Sequence, residues 1–322
     1  MLSSVPPLPI VMVSPEIPAA WLEALEGEVE IHPLTPAPQA MDARVAGILS
    51  ILTVAIDEAF LARFPALQVI SSMAVGVDNI DLGGCARRGV RVGNTPGVLT
   101  DATADVAMML TLSVARNLPR AAMDAREGRW GPWSPVGWLG TELRGKSFGV
   151  IGLGAIGAAT ARRARAFGLD ILYTGPSRKP VEAEFNATYL DLEALLGAAD
   201  IVSLHCPLTP ETRHLMDAEA LRHMRSTAIL INTSRGDVVD QNALLRALDE
   251  GWIAGAGLDV TSPEPLPAHH PLFERSNCLI SPHIGRATRA TRRAMATLAG
   301  ENLLAALAGG VMPSEIVCAG DN

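Results

Sequence analysis

The sequence alternates short apolar runs with segments long enough to form helices, and this pattern restricts the possible folds more than any other feature. The runs are rich in Val, Ile and Leu, and Gly, Pro, Asp or Ser follows closely. They span residues 9–13, 47–53, 68–72, 147–151, 170–174, 200–204, 228–232, 254–260 and 278–282. Continuous apolar strands separated by helices are typical of parallel sheets that are covered on both faces. We therefore predict an α/β protein.

The length and charge of the chain narrow the class of protein further. With 322 residues, 48% of them hydrophobic, the chain can fill two domains of roughly 150 residues each. The longest strongly apolar stretch, residues 45–56, is shorter than the roughly 20 residues of a membrane span, so we expect no membrane contact. No basic residue precedes the first apolar run, which argues against a signal peptide. A net charge of −8 without any Lys/Arg run argues against nucleic acid as a partner.

The cysteines and histidines show no spacing typical of a disulfide framework or a metal site. Cys85, Cys206, Cys278 and Cys318 are dispersed and form no CxxC pair, which favours a reduced, cytoplasmic protein. The 7 histidines include no HExxH or similar pattern. We therefore predict no bound metal.

Two segments carry a long helical pattern. Residues 101–116 place Ala104, Met108 and Leu112 on one face, with Thr100 or Asp101 as the expected N-cap. The second helix is predicted over residues 287–307, before two glycines. The Trp-rich segment 130–138 contains two prolines and is predicted to be a loop at a domain boundary or a contact surface.

The segment VIGLGAIG, residues 150–157, contains GxGxxG between a predicted strand and a predicted helix. In such a loop, Gly152 permits a tight turn, Gly154 lets the backbone approach a pyrophosphate, and Gly157 allows close packing of helix and strand. Free N–H groups at the helix start can then bind the anion. The alternative is a purely structural turn. We predict that the nucleotide contacts this loop through Gly152, Leu153, Gly154, Ala155, Ile156 and Gly157.

The end of the next predicted strand bears on which nicotinamide cofactor is used. A carboxylate about 20 residues after the glycines would bind the adenine ribose. Residues 172–179 contain no acid, whereas Thr174, Ser177 and Arg178 offer donors and charge to a 2′-phosphate. Arg178 and Lys179 could instead be a solvated surface pair. We predict that NADP(H) is preferred over NAD(H).

Three chemically versatile residues follow three successive strands: Arg235, Glu264 and His283. Ligands of doubly wound sheets lie outside the carboxyl ends of the strands, so these side chains should converge there. Arginine can hold a carboxylate through two hydrogen bonds, histidine can donate a proton near neutral pH, and a carboxylate can orient that histidine. Taken singly, each residue has a structural alternative: a salt-bridging loop residue, a solvated turn or a helix cap.

Several segments together resemble the D-isomer-specific 2-hydroxyacid dehydrogenases. The similar segments lie in family order at residues 75–81, 94–106, 150–157, 231–240, 256–266 and 281–285. The similarity to glyoxylate/hydroxypyruvate reductases is greatest in the segments TPGVLTDATADVAMML, INTSRGDVV and AGLDVTSPEPLP and in MPSEI near the C-terminus. The resemblance implies that Arg235 binds the substrate, Glu264 orients and His283 donates the proton.

The resemblance also implies further contacts and an organisation. Val75 and Gly76 would offer backbone N–H groups to the substrate carboxylate. The implied cofactor contacts are Thr103, Cys206, Thr233, Asp259 and Gly285. Residues 1–100 with 290–322 would form a substrate-binding domain and residues 101–289 an NAD(P)-binding Rossmann domain, with the active-site cleft between them. Family members are homodimers, in which Trp138 would reach the partner's active site or only pack at the dimer surface.

These implications define an expected activity and its rivals. We expect NADPH-dependent reduction of glyoxylate or hydroxypyruvate to glycolate or D-glycerate. One alternative is the same chemistry on another 2-oxo acid, such as 2-ketogluconate. A second alternative is a non-catalytic NAD(P) sensor similar to the family's corepressor relatives. The presence of all three of Arg235, Glu264 and His283 favours the enzyme.

Overall fold

The structure, a computed structural model, describes residues 7–317. The chain divides into two compact units. The first runs to Leu99 and resumes at Thr288, and the second is Thr100–Ala287. The predicted domain boundaries lie close to these points. Cys318, part of the prediction of reduced cysteines, lies outside the described residues.

Strands and helices alternate along both units. The strands are β1 (Ile10–Val13), β2 (Glu30–Pro33), β3 (Val45–Ser50), β4 (Val69–Ser72), β5 (Arg91–Gly93), β6 (Ser147–Ile151), β7 (Asp170–Thr174), β8 (Thr188–Tyr189), β9 (Ile201–Leu204), β10 (Ile229–Asn232), β11 (Gly255–Leu258), β12 (Cys278–Ile280) and β13 (Glu315–Ile316). The helices are α1 (Glu58–Ala62), α2 (Leu82–Arg88), α3 (Thr100–Ala115), α4 (Leu118–Arg126), α5 (Ala155–Ala166), α6 (Glu182–Phe185), α7 (Leu192–Ala198), α8 (Ala218–His223), α9 (Gln241–Asp249) and α10 (Arg289–Leu307).

Each unit is built on one doubly wound sheet, which confirms the predicted fold class. In the first unit the strand order is β13-β5-β4-β3-β1-β2, and β13 alone in that sheet is antiparallel to its neighbour. In the second unit the order is β12-β11-β10-β9-β6-β7-β8, and these strands are parallel. The order reverses between β6 and β9, which is where nucleotides bind to such sheets.

Helices cover both faces of the second sheet, which explains its continuous apolar strands. Successive strand residues point to opposite faces. Accordingly, Leu230 of β10 packs in a cluster with leucines of α7, α8 and α9, whereas Ile229 and Ile231 pack in another with alanines of α3 and α5. A strand that faces an apolar layer on each side needs no polar alternation.

Side-chain caps mark the start of many helices. Aspartate oxygens accept N–H hydrogen bonds at the start of α1, α2, α7, α8 and α9, and Thr288 does so for α10. The predicted start of the last helix at residue 287 is therefore too early. The predicted N-caps of α3 are also wrong, because Thr100 and Asp101 are its first two residues. Helix α5 begins after Gly154 without a side-chain cap.

Several short strands lack the apolar runs from which strands were predicted. The strands β2, β5, β8 and β13 were not predicted; β2, β8 and β13 are edge strands that are largely exposed. An edge strand has one neighbour and less contact with the core, so its residues need not be apolar. No helix or strand lies within residues 130–138, as predicted for the Trp-rich segment.

Candidate active site

Arg235, Glu264 and His283 follow β10, β11 and β12, which lie side by side in the sheet. The buried Asn232 side chain shapes the loop that carries Arg235. Its Nδ2 donates to the Arg235 carbonyl at 2.8 Å, and its Oδ1 accepts the Ser234 N–H at 3.0 Å. The turn is therefore fixed by an internal side chain, and the half-buried Arg235 lies at the carboxyl edge of the sheet.

Gly236 holds the Arg235 loop against the loop that carries Glu264. A Cβ at position 236 would lie 2.0 Å from the carbonyl carbon of Thr261. No side chain fits at that distance from backbone atoms. Gln241 adds a second link, since its Oε1 accepts the Ser262 N–H at 2.9 Å. The two loops are thus packed backbone to backbone.

Glu264 and His283 form a hydrogen-bonded pair. The Nδ1 atom of His283 lies 2.9 Å from Oε2 of Glu264, and the other carboxylate oxygen accepts the Thr261 N–H at 3.0 Å. Burial raises the pKa of Glu264, but the hydrogen bond and charge of His283, the Thr261 N–H and the charge of Arg235 together lower it below its ordinary value. Because the ionised carboxylate can only accept, Nδ1 carries a hydrogen and Nε2 is the nitrogen that can exchange a proton.

Asp259 organises the loop that carries His283. Its side chain is 1% exposed and accepts hydrogen bonds from Ser281 Oγ at 2.6 Å, the Ile284 N–H at 2.8 Å and the Gly285 N–H at 2.7 Å. His283 itself has a φ of 51°, a conformation that L-residues adopt rarely. The buried carboxylate therefore fixes the position of the imidazole. Its implied contact with the cofactor stays a prediction.

The glycines of residues 150–157 fit a bound pyrophosphate. Gly152 has a φ of 96°, and a Cβ there would lie 2.8 Å from the Cys206 nitrogen. At Gly157 a Cβ would lie 2.2 Å from the Gly152 carbonyl oxygen, so helix and loop pack closely. At the exposed Gly154, by contrast, nothing lies within 4 Å of a Cβ. This open space in front of the uncapped start of α5 suits a phosphate group.

The side chains of the other three loop positions differ in burial. Leu153 is 3% exposed and packs in the core, so only its backbone is available to a ligand. Ala155 is exposed and Ile156 half-buried. These placements suit a ligand that is bound by the backbone of the loop.

Two buried polar atoms after neighbouring strands β9 and β10 also favour a polar ligand. Thr233 Oγ1 and His205 Nδ1 are buried, and neither has a hydrogen-bond partner among residues 7–317. Burial lowers the pKa of His205 to about 4, so its ring is neutral at physiological pH. Burial also raises the pKa of Cys206 to about 11, which argues against a role as a nucleophile, and its implied contact with the cofactor stays a prediction.

Two more predicted cofactor residues lie near Asp259. A Cβ on Gly285 would lie 3.0 Å from Asp259 Oδ2 and 3.4 Å from Thr103 Cγ2. Thr103 of α3 is therefore beside the loop that carries His283. The structure brings these three residues together at the carboxyl edge of the second sheet.

The region after β7 holds the residues predicted to bind a 2′-phosphate. Thr174 is buried at the end of β7, whereas Ser177 and Arg178 are exposed. Arg178 Nη2 lies 2.6 Å from Glu182 Oε1, and the hydroxyl of Tyr173 also donates to Glu182. An acid therefore approaches Arg178 from α6, although the strand end itself has none. The i,i+4 spacing of Arg178 and Glu182 is the signal that could have revealed it.

The residues predicted to bind the substrate besides Arg235 and His283 lie in other parts of the chain. Val75 and Gly76 follow β4 in the first unit, where Asn94 Nδ2 donates to the Val75 carbonyl at 2.8 Å. Trp138 lies in the loop before β6, and its Nε1 donates to Asp124 Oδ2 at 2.8 Å. The substrate contacts implied for these three residues stay predictions.

Within residues 7–317, no three His, Cys, Asp or Glu side chains are grouped so that they could hold a metal ion. None of the helices in this part of the chain combines the length and apolar character that crossing a membrane requires.

Together, a doubly wound sheet, a Gly-rich turn at the start of a helix and an Arg, Glu and His at one sheet edge define a nicotinamide-dependent dehydrogenase. Residues 108–285 match the sequence profile of the D-isomer specific 2-hydroxyacid dehydrogenase, NAD binding domain. This match covers more than half of the chain. The protein belongs to the D-isomer-specific 2-hydroxyacid dehydrogenase family, a family of oxidoreductases.

Relatives with assigned names are similar over most of their length. A glyoxylate reductase of Korarchaeum cryptofilum is 44% identical over 315 residues, which are 95% of each chain. A glyoxylate reductase/hydroxypyruvate reductase of Mus musculus is 48% identical and covers 84% of this chain and 83% of its own. A solved structure of the NADPH-dependent glyoxylate/hydroxypyruvate reductase of Sinorhizobium meliloti, in complex with NADP and malonate, is 34% identical with a TM-score of 0.87. It covers 96% of this chain and 97% of its own.

Proposed function

We propose that this protein reduces glyoxylate and hydroxypyruvate to glycolate and D-glycerate, with NADPH preferred over NADH. The observation that carries the proposal is the Glu264–His283 pair, 2.9 Å apart beside the loop of Arg235. A corepressor-like sensor needs no such proton-donating pair. The names of the relatives support the two substrates.

The cofactor would lie along the carboxyl edge of the second sheet. Backbone N–H groups at the start of α5 would hold its pyrophosphate, and Thr233 and His205 would offer their buried polar atoms. Thr103, Cys206 and Gly285 would form the rest of the wall of the cofactor pocket. When bound, the reduced nicotinamide supplies the hydride for the keto carbon of the substrate.

The three polar residues divide the remaining chemistry. Arg235 would hold the substrate carboxylate through two hydrogen bonds and draw electron density from the neighbouring keto oxygen. His283 would donate a proton from Nε2 to the alkoxide that develops there. Glu264 would hold the ring by Nδ1 and stabilise its protonated form through opposite charge.

The preference for NADPH rests on the region after β7. Residues 172–179 carry Ser177, Arg178 and Lys179 without an acid that would repel a phosphate. Arg178 is already paired with Glu182, with its side chain 68% exposed. A 2′-phosphate would compete with that carboxylate for the guanidinium, so we expect a graded preference for NADPH.

Homodimer formation and a cytoplasmic location are parts of the same proposal. Helix α4 and the loop after it expose Met123, Trp130, Trp133, Val136 and Leu139, with Trp133 86% exposed. Several large exposed apolar side chains in one short segment suit an interaction surface. Among residues 7–317, Cys85, Cys206 and Cys278 are thiols rather than parts of a disulfide, which suits a reducing compartment. The absence of a nucleic-acid partner stays a prediction.

A spectrophotometric scan of NADPH and NADH oxidation with a panel of 2-oxo acids tests the proposal. We expect turnover with glyoxylate and hydroxypyruvate that exceeds turnover with 2-ketogluconate and is faster with NADPH. Highest kcat/KM with 2-ketogluconate would favour the alternative that the enzyme acts on another 2-oxo acid. Tight cofactor binding without oxidation of the cofactor by any acid would favour the sensor.

A further inference from the structure

Arg286 lies beside the nitrogen of His283 that exchanges a proton. Its Nη1 is 3.4 Å from His283 Nε2, and its side chain is half-buried. The backbone between them is held by Asp259, which accepts the N–H groups of Ile284 and Gly285. A guanidinium thus lies at the reacting end of the imidazole, and none of the roles assigned above uses it.

The two ring nitrogens of His283 face opposite charges. Glu264 accepts from Nδ1, so in the neutral ring Nε2 has a lone pair that accepts from Arg286. Once Nε2 carries the proton needed for reduction, an N–H of Arg286 can no longer donate to it.

We propose that Arg286 is a specificity-determining residue that binds an oxygen-bearing, preferably anionic, group on C3 of the 2-oxo acid. This inference rests on the proposed function, because it takes Nε2 of His283 as the donor to the keto oxygen. In the bound acid the keto oxygen lies within hydrogen-bond distance of Nε2, and C3 is only two bonds from that oxygen. A guanidinium 3.4 Å from the same nitrogen can therefore reach a group on C3.

The two arginines would divide a dianionic substrate between them. Arg235 holds the C1 carboxylate, and Arg286 holds the C3 group, each with the planar pair of donors that suits a carboxylate. The C3 group would also replace Nε2 as the acceptor for Arg286. Binding of this substrate class therefore releases the lone pair of Nε2 for the proton.

Four probe acids separate this role from general support of the loop. Glyoxylate has no C3, pyruvate has a methyl group there, hydroxypyruvate a hydroxyl and oxaloacetate a carboxylate. We expect the unchanged enzyme to use hydroxypyruvate and oxaloacetate with higher kcat/KM than pyruvate. The difference should lie mainly in KM.

The test compares Arg286→Gln and Arg286→Lys with Arg246→Gln, a matched loss of charge at a side chain that is 60% exposed on α9. Arg286→Gln should lower kcat/KM for oxaloacetate relative to pyruvate by roughly ten- to hundredfold, the effect of a lost charge-assisted hydrogen bond. Hydroxypyruvate should lose less, and Arg286→Lys should recover part of the loss. Arg246→Gln should leave the ratios unchanged.

Three outcomes would contradict either the role of Arg286 or the proposed function. Equal loss with all four acids would overturn the role of Arg286 and leave the proposed function standing. No preference of the unchanged enzyme for oxaloacetate or hydroxypyruvate over pyruvate would also overturn it. If the unchanged enzyme reduces none of the four acids, the proposed function itself fails. Thermal melting and NADPH binding of each variant show that the loop and the cofactor site are intact.

Discussion

Replacing Glu264 with glutamine should lower the upper pH limit of the reduction, because it removes the negative charge that faces His283. The two side chains are 33% and 21% exposed and their atoms lie 2.9 Å apart. A hydrogen bond to a charged group contributes about 1.5–3 kcal/mol, and partial exposure favours the lower end of that range. Since about 1.4 kcal/mol corresponds to one pH unit, the midpoint of the falling limb of kcat/KM should move down by about one unit.

The sign follows from the charges. The pKa of Glu264 lies below its ordinary value, so the carboxylate is ionised across the neutral range and stabilises the protonated imidazole. Glutamine is neutral and cannot stabilise that positive charge. The assay is the initial rate of NADPH oxidation with glyoxylate across buffers of constant ionic strength.

A matched control separates this effect from a general change of charge. Glu274→Gln removes the same charge from a side chain that is 76% exposed, and we expect its pH profile to match that of the unchanged enzyme. A Glu264→Gln profile with an unmoved falling limb would refute the reasoning. The pair would then be only a structural contact.

Two further predictions test other parts of the site. Gly236→Ala should lower the free energy of unfolding by about 1–3 kcal/mol, because its Cβ would lie 2.0 Å from backbone carbon of Thr261. Thermal melting measures this, and Gly131→Ala, where nothing lies within 4 Å, should melt like the unchanged protein. Arg178→Gln should raise KM for NADPH by roughly 1.5- to fivefold, the size expected of an exposed ion pair, without changing KM for NADH. An equal rise for both cofactors would refute a contact with the 2′-phosphate.

Buried strands and long helices were predictable because their signals are local. A strand such as β10, with residues buried on both faces, must be apolar throughout, and its sequence shows this directly. The edge strand β2 is largely exposed and carries no such signal. Its place depends on pairing with β1, residues that lie apart in sequence.

The candidate site divides in the same way. Arg235, Glu264 and His283 could be named from the sequence because each follows a strand, and parallel strands end at one edge. The fixation of His283 by Asp259 and the approach of Gly236 to Thr261 depend on distances across loops. Nothing in the local sequence encodes those distances.

The sequence alone thus determined the fold class, the Gly-rich turn and the identity of the polar residues at the sheet edge. Only the tertiary structure decided which atoms face one another: Glu264 at Nδ1 of His283, Arg286 at Nε2, and Glu182 at Arg178. The physical reason is the distance along the chain over which each kind of interaction acts. Periodicity and turn propensity act within a few residues, whereas hydrogen bonds and charges act between loops that only the packed sheet brings together.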